Sequence, residues 1–174
     1  MELFGFNRFS GNAKRALSSA QAIAEDMKAG YIGTEHLLLG VLSGKIGVAH
    51  EILSGYGIDF ERIEMAMHLL LYANSAHSNI EGVSKDLREA LERAIIIAKN
   101  NGYFYVGTEH LLMGILSHKD FKAYHLIQNI DIDPEKIIKQ ISSLFQNNAA
   151  HSFPEGDPDF IDERMMGSFQ HGQL

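Results

Sequence analysis

The chain has 174 residues, a formal net charge of −7 and no cysteine. Its length fits one ordinary domain, or two small halves that share a core. The lack of cysteine excludes disulfides, zinc–thiolate sites and thiol nucleophiles, and the negative charge argues against general nucleic-acid binding.

The first half of the sequence predicts four helices. Ser10 is a suitable N-cap for the first of them, and Gly30 is expected to end it. Glu35 falls in the first turn of the second helix. The predicted helices are 10–29, a second that Thr34 caps and that runs through Leu42, a third over 48–54 and a fourth that begins at Asp59.

The second half repeats this plan at an offset of 74 positions. The segment YIGTEHLLLGVL at 31–42 returns as YVGTEHLLMGIL at 105–116. No gap is needed across roughly 65 positions, which indicates a tandem duplication. The corresponding helices are 87–100 capped by Ser84, 109–117 capped by Thr108, 121–129, and a fourth from Asp133. The sequence therefore predicts an all-α fold of two pseudo-twofold four-helix repeats, with about eight helices.

The remaining segments differ from the repeats in composition. We expect one domain over 1–148, with a linker rich in Asn, Ser and Ala at 73–82 between repeat one (3–72) and repeat two (83–148). Residues 149–174 hold five acidic residues and one arginine, and predict a flexible acidic tail or linker. No apolar run approaches a membrane span and the first residues lack a signal pattern, so we expect no membrane association and a cytoplasmic location.

Motifs of catalysis and of cofactor binding are incomplete in this sequence. The string GVLSGKIG lacks the spacing of a phosphate-binding loop, and the HExxH-like string that begins at His50 has Ser54 in its fifth position. His36 and His110 recur at the repeat offset, which is more typical of packed or hydrogen-bonding residues than of metal ligands. We therefore expect a binding protein without enzymatic activity, cofactor or metal.

Glu35 and Glu109 have two interpretations. An acid in the first turn of a helix interacts favourably with the helix dipole, by roughly 0.3–1 kcal/mol. Alternatively, each carboxylate binds a guanidinium group while the helix start at Ser10 or Ser84 in the same repeat binds an anion. The spacing alone favours the first interpretation, because it does not show that the two ends meet.

At GTEHLLLG and its repeat, with FNRFSGNAKRALSSAQAIA ahead of the first copy, the chain resembles the Clp N-terminal repeat domain, in particular that of ClpC-type AAA+ unfoldases. The resemblance covers about residues 3–146. It implies a compact all-α domain, without catalysis of its own, that receives adaptor proteins and substrates and passes substrates to an ATPase ring.

The resemblance also implies a ligand. ClpC-like domains of Gram-positive bacteria recognise phosphoarginine, with the glutamate of each GTEH on the guanidinium and a threonine at the start of each repeat's first helix near the phosphate. Carried over, Glu35 and Ser10 form one pocket, and Glu109 and Ser84 form the other, with serine in place of the usual threonine.

The leading hypothesis is thus a non-catalytic docking domain of a ClpC-like unfoldase and protease system, which recognises phosphoarginine-marked proteins. Its expected partners are an AAA+ unfoldase module, the Clp peptidase, adaptor proteins, and marked or unfolded substrates. The alternative is a free-standing accessory subunit that docks on a Clp protease complex.

Overall fold

The computed structural model describes residues 8–70 and 80–147. Within these ranges the chain is helical, and two isolated parallel bridges take the place of any strand. The predicted all-α fold of two four-helix repeats is confirmed. The described residues form eight helices: α1 Gly11–Asp26, α2 Thr34–Ser43, α3 Val48–Gly55 and α4 Phe60–Leu70 in repeat one, then α5 Lys85–Asn100, α6 Thr108–Ile115, α7 Lys122–Asn129 and α8 Pro134–Asn147 in repeat two.

The predicted caps of the first helix of each repeat are confirmed, although α5 begins at Lys85 and not at residue 87. The Ser10 hydroxyl accepts a hydrogen bond from the Ala13 amide at 3.1 Å, and the Ser84 hydroxyl accepts one from Leu87 at 3.0 Å. Helix α1 ends at Asp26, earlier than the predicted residue 29. The reason is that Lys28, at φ +53°, already takes the left-handed conformation that ends a helix.

The predicted caps of α2 and α6 were wrong. Gly33 and Gly107 are the N-cap residues, and their amides donate to Nδ1 of His36 (2.8 Å) and His110 (2.9 Å). These two histidines are therefore hydrogen-bonding residues of a helix start, as their recurrence suggested.

The hydroxyl groups of Thr34 and Thr108 cap helices in the opposite repeat. Thr34 Oγ1 accepts from the Ala123 amide in α7 at 3.2 Å, and Thr108 Oγ1 accepts from the Ala49 amide in α3 at 3.1 Å. Each repeat thus satisfies an unpaired amide at a helix start of the other.

Small residues set the close contact between the first two helices of each repeat. A Cβ atom on Gly40 would lie against the Ala16 carbonyl and 3.0 Å from the Ala20 amide. One on Gly114 would meet the Ala90 carbonyl in the same way. The backbones of α1 and α2, and of α5 and α6, approach each other at positions that only glycine fits.

The two repeats share one core. Leu37 and Leu38 of α2 and Leu111 and Leu112 of α6 are completely buried, and all belong to the same apolar cluster. Within the described ranges no single helix is long and apolar enough to cross a membrane. In this part of the chain only α2 and α3 together reach that length, across a bend of 93°.

Several predictions fall outside the described residues. The acidic tail at 149–174 lies there, as does all of the predicted linker except residues 80–82. The domain boundaries that depend on these segments stay predictions.

Candidate functional site

Glu35 is a buried acid with two polar neighbours. Its side chain lies in the first turn of α2 and is 3% exposed. The Tyr31 hydroxyl donates to Glu35 Oε2 at 3.2 Å, and Lys122 Nζ lies 3.6 Å from the same oxygen. Lys122 also donates to the Tyr31 hydroxyl, and its ammonium group lies 5.1 Å from the centre of the Tyr31 ring.

Gly33 allows the Glu35 carboxylate to take this position. A Cβ atom at residue 33 would lie 2.8 Å from Glu35 Cδ and 2.9 Å from Cε2 of Tyr31. The backbone at Gly33 is extended, at φ −110° and ψ 179°, so glycine is needed here for space and not for conformation. The glycine of the GTEH motif therefore belongs to the site as much as its glutamate does.

The carboxylate faces the start of helix α5 across a cavity of about 200 Å³. We call this cavity site one. The first intrahelical hydrogen bond of α5 is made by the Arg88 amide to the Ser84 carbonyl, so the amides of Lys85 and Asp86 precede it. Such a helix start favours an anion. The residues that line site one are Tyr31, Thr34, Glu35, Ser84, Lys85, Asp86 and Lys122.

The predicted pairing of serine and glutamate within a repeat is therefore wrong. Glu35 shares its cavity with Ser84, because the Ser84 amide donates to the Ile32 carbonyl at 2.9 Å. In the same way the Ser10 amide donates to the Val106 carbonyl at 2.9 Å. This hydrogen bond brings Ser10 to the segment that leads into Glu109. Each site is built from both repeats, and a comparison of spacing within one repeat cannot reveal this.

The pseudo-twofold equivalent of site one surrounds Glu109, and we call it site two. Glu109 is 2% exposed, like Glu35, but Ser10 is completely buried whereas Ser84 is half-buried. The other charged residues of site one are replaced by uncharged ones. By the offset of 74, the equivalents of the residues that line site one are Tyr105, Thr108, Glu109, Ser10, Gly11 for Lys85, Asn12 for Asp86 and Val48 for Lys122.

His110 lies next to Glu109 but forms no ion pair with it. Its Nδ1 atom is 3.8 Å from Glu109 Oε1. Burial lowers the pKa of His110 to about 3, so the ring is neutral, and Nδ1 accepts from the Gly107 amide instead. The ring stacks on Phe145 at 5.0 Å between centroids, as expected for a core residue.

The two polar neighbours of Glu35 keep their usual charge states. Burial tends to lower the pKa of Lys122, but the hydrogen bond to Tyr31 and the charge of Glu35 outweigh it and raise that pKa. Burial and the charge of Glu35 also raise the pKa of the Tyr31 hydroxyl. At neutral pH, Lys122 therefore carries an ammonium group and Tyr31 a neutral hydroxyl. Both lie within 3.6 Å of Glu35 Oε2.

Sequence analysis missed Tyr31, Lys85 and Lys122. Lys122 lies 91 positions from Tyr31 in the chain, so no local motif joins them. The available signal was a departure from the repeat: a lysine at residue 122 stands where the first copy has Val48. Among the described residues, no group of three or more histidine, aspartate or glutamate side chains is placed to hold a metal ion.

Comparison with known proteins identifies the fold and the repeated motif. Residues 8–130 and 82–162 match the profile of the family described as Clp repeat (R) N-terminal domain. The chain belongs to this family. A solved structure of the N-terminal domain of the chaperone ClpD from Arabidopsis thaliana covers 84% of the chain with a TM-score of 0.69 and 20% identity, and the chain covers 99% of that domain.

Longer relatives in this family carry the domain as a small part. The chain is 35% identical over 144 residues to a probable ATP-dependent Clp protease ATP-binding subunit of Chlamydia pneumoniae, covering 78% of this chain and 16% of the relative. It is 28% identical over 151 residues to the negative regulator of genetic competence ClpC/MecB of Bacillus subtilis, covering 87% of this chain and 19% of the relative. The chain thus spans about a fifth or less of the length of these relatives.

Proposed function

We propose that this chain is a non-catalytic docking domain of a ClpC-like ATP-dependent unfoldase and protease system. It binds adaptor proteins and substrate proteins, and an ATPase supplied in cis or in trans then unfolds the substrate. The family match and the names of the longer relatives, an ATP-binding subunit of Clp protease and ClpC, support this assignment.

The ligand that we propose for site one is a phosphorylated arginine side chain. The observation that carries this proposal is a buried carboxylate and an open helix start on one cavity. Glu35 would accept hydrogen bonds from the guanidinium group, which pairs well with a carboxylate. The amides at the start of α5 and the charge of Lys85 would bind the phosphoryl group.

Site two offers the same two elements in a more closed form. Glu109 would accept the guanidinium group, and the helix start behind Ser10 would face the phosphoryl group. Because Ser10 is buried and Gly11 and Val48 carry no charge, we expect weaker binding here than in site one. Several weak sites on an oligomeric ring would still gain affinity from their high effective concentration.

A calorimetric titration of the chain with free phosphoarginine tests the proposal, with arginine and phosphoserine as control ligands. We expect saturable binding that prefers phosphoarginine, is weakened by Glu35→Gln and is abolished by the double change Glu35→Gln with Glu109→Gln. Glu51→Gln is the matched control variant, because Glu51 also lies in the first turn of a helix but is exposed. It should bind as the unchanged chain does.

Two results would contradict the proposal. The first is no saturation at millimolar phosphoarginine. The second is binding that survives in the double variant while its helical circular dichroism and melting temperature stay normal.

A further inference from the structure

Lys122 is held against site one by its own helix. It is the first residue of α7, and the next amide, that of Ala123, donates to Thr34 Oγ1 at 3.2 Å. The backbone of Lys122 therefore lies next to the residue that precedes Glu35. Its ammonium group reaches 3.6 Å from Glu35 Oε2, while 44% of the side chain stays exposed.

The helix itself does not account for a lysine at this position. The N-terminus of a helix is its positive end, so a cation there is electrostatically unfavourable. The equivalent helix in repeat one begins with Val48 and carries no charge at this point. What holds the ammonium group of Lys122 in place is the carboxylate of Glu35 together with the hydroxyl of Tyr31.

This position has opposite consequences for two possible ligands. The guanidinium group of an unmodified arginine would compete with Lys122 for Glu35, and the displaced ammonium group would gain nothing in return. A phosphorylated arginine brings its own anion. The flexible, half-exposed lysine side chain can turn from the carboxylate to the phosphoryl group, because a compact ammonium group on four carbons needs no fixed geometry.

We infer that Lys122 makes site one selective for phosphorylated over unmodified arginine, because its ammonium group covers Glu35 in the free protein and pairs with the phosphoryl group of the bound ligand. This inference rests on the proposed function. It adds to that function a residue that sets the choice between the two forms of arginine. Lys85 differs from Lys122, since it lines the same cavity without contacting Glu35 in the contacts that the structure describes.

The test measures dissociation constants for arginine and for phosphoarginine in a Glu109→Gln background. This change removes the glutamate of site two, so that the measured binding is that of site one. An exposed charge contact of this kind changes affinity by about threefold. We therefore expect Lys122→Met to bind arginine about threefold more tightly and phosphoarginine about threefold more weakly, which lowers the preference for phosphoarginine roughly tenfold. Lys85→Met, the matched control, should weaken phosphoarginine binding about threefold and leave arginine binding unchanged.

The outcomes separate this inference from the proposed function. If phosphoarginine binds but the preference is the same with and without Lys122, the inference is wrong and the proposed function stands. A purely structural lysine would give that result with a lower melting temperature. If neither ligand binds to any of these variants, both are wrong. If arginine binds to the Lys122→Met variant alone, Lys122 does cover Glu35, and phosphoarginine is not the ligand.

Discussion

In site one the buried glutamate lies beside Lys122, the start of the facing helix is half-exposed, and Lys85 and Asp86 line an open cavity. In site two the equivalent glutamate is just as buried, but Val48 stands in place of the lysine and Ser10 is completely buried. The glycine, threonine, glutamate and histidine of the motif are the same in both.

This comparison separates two kinds of constraint. The residues that agree between the repeats make the helix start, the caps and the close helix contact, and each has a geometric reason to be what it is. The residues that differ, Lys85, Asp86 and Lys122, line the cavity of site one together with the shared glutamate and carry charges that their equivalents in site two lack. Duplication has preserved the scaffold of the sites, whereas their surroundings have diverged.

The strongest test of the shared scaffold is at Gly40 and Gly114. A Cβ atom at either position would collide with a backbone carbonyl of the neighbouring helix. We expect Gly40→Val and Gly114→Val each to lower the free energy of unfolding by roughly 3 kcal/mol, because the backbones must move apart. Urea denaturation monitored by circular dichroism measures this.

Gly44 provides the control for that prediction, because a Cβ atom at this position would have no neighbour within 4 Å and the φ angle is −77°. Gly44→Ala should change the free energy of unfolding by less than about 0.5 kcal/mol. A large loss at only one of Gly40 and Gly114 would break the equivalence of the two helix contacts.

The next largest effect is that of pH on stability, and it is expected to differ between the repeats. Burial lowers the pKa of His110 to about 3, while the lowering of the His36 pKa by burial is opposed by the charge of Glu35. The unfolded chain takes up a proton on His110 near pH 6.5 and the folded chain does not, so stability falls as the pH falls through this range. Between pH 7 and pH 5 we expect His110 to cost about 2 kcal/mol of stability.

Urea denaturation at these two pH values tests the prediction. His110→Asn keeps an acceptor for the Gly107 amide but cannot titrate, so it should flatten the dependence on pH. His36→Asn should flatten it less. Equal changes in the two variants would contradict the assigned difference between the histidines.

The smallest effects come from the two threonine caps, and they should again be equal in the two repeats. Thr34→Val and Thr108→Val remove the hydroxyl that caps a helix of the other repeat, and each should cost about 1 kcal/mol. The shift in melting temperature measures both. Thr34→Ser and Thr108→Ser keep the hydroxyl and should recover most of the loss, whereas a valine variant with no loss would show that its cap contributes nothing.

The sequence predicted the architecture well because the repeat is regular. Helix periodicity and the caps at Ser10 and Ser84 depend on nearby residues, so the amino-acid sequence is sufficient to predict them. The pairing of each glutamate with the serine of the opposite repeat could not be predicted in this way. It depends on the short parallel bridges Ile32–Val83 and Phe9–Val106, which join segments from opposite repeats.

The same limit explains the error at Thr34 and Thr108. A threonine before an apolar helix is usually its cap, and the local pattern offers no other role. The role observed here requires the start of α7 or α3 to lie within hydrogen-bonding distance. Side-chain contacts across a pseudo-twofold axis can be identified only from a structure that contains both halves.

The exchange of caps and bridges between the repeats has a consequence for a chain half as long. A single repeat would contain a threonine hydroxyl and a helix start that need each other but cannot meet within the same copy. A second copy, turned by a twofold axis, would supply both partners at once, which is the arrangement of an isologous dimer. Joining the two copies in one chain makes this association independent of protein concentration and leaves each copy free to acquire its own charges.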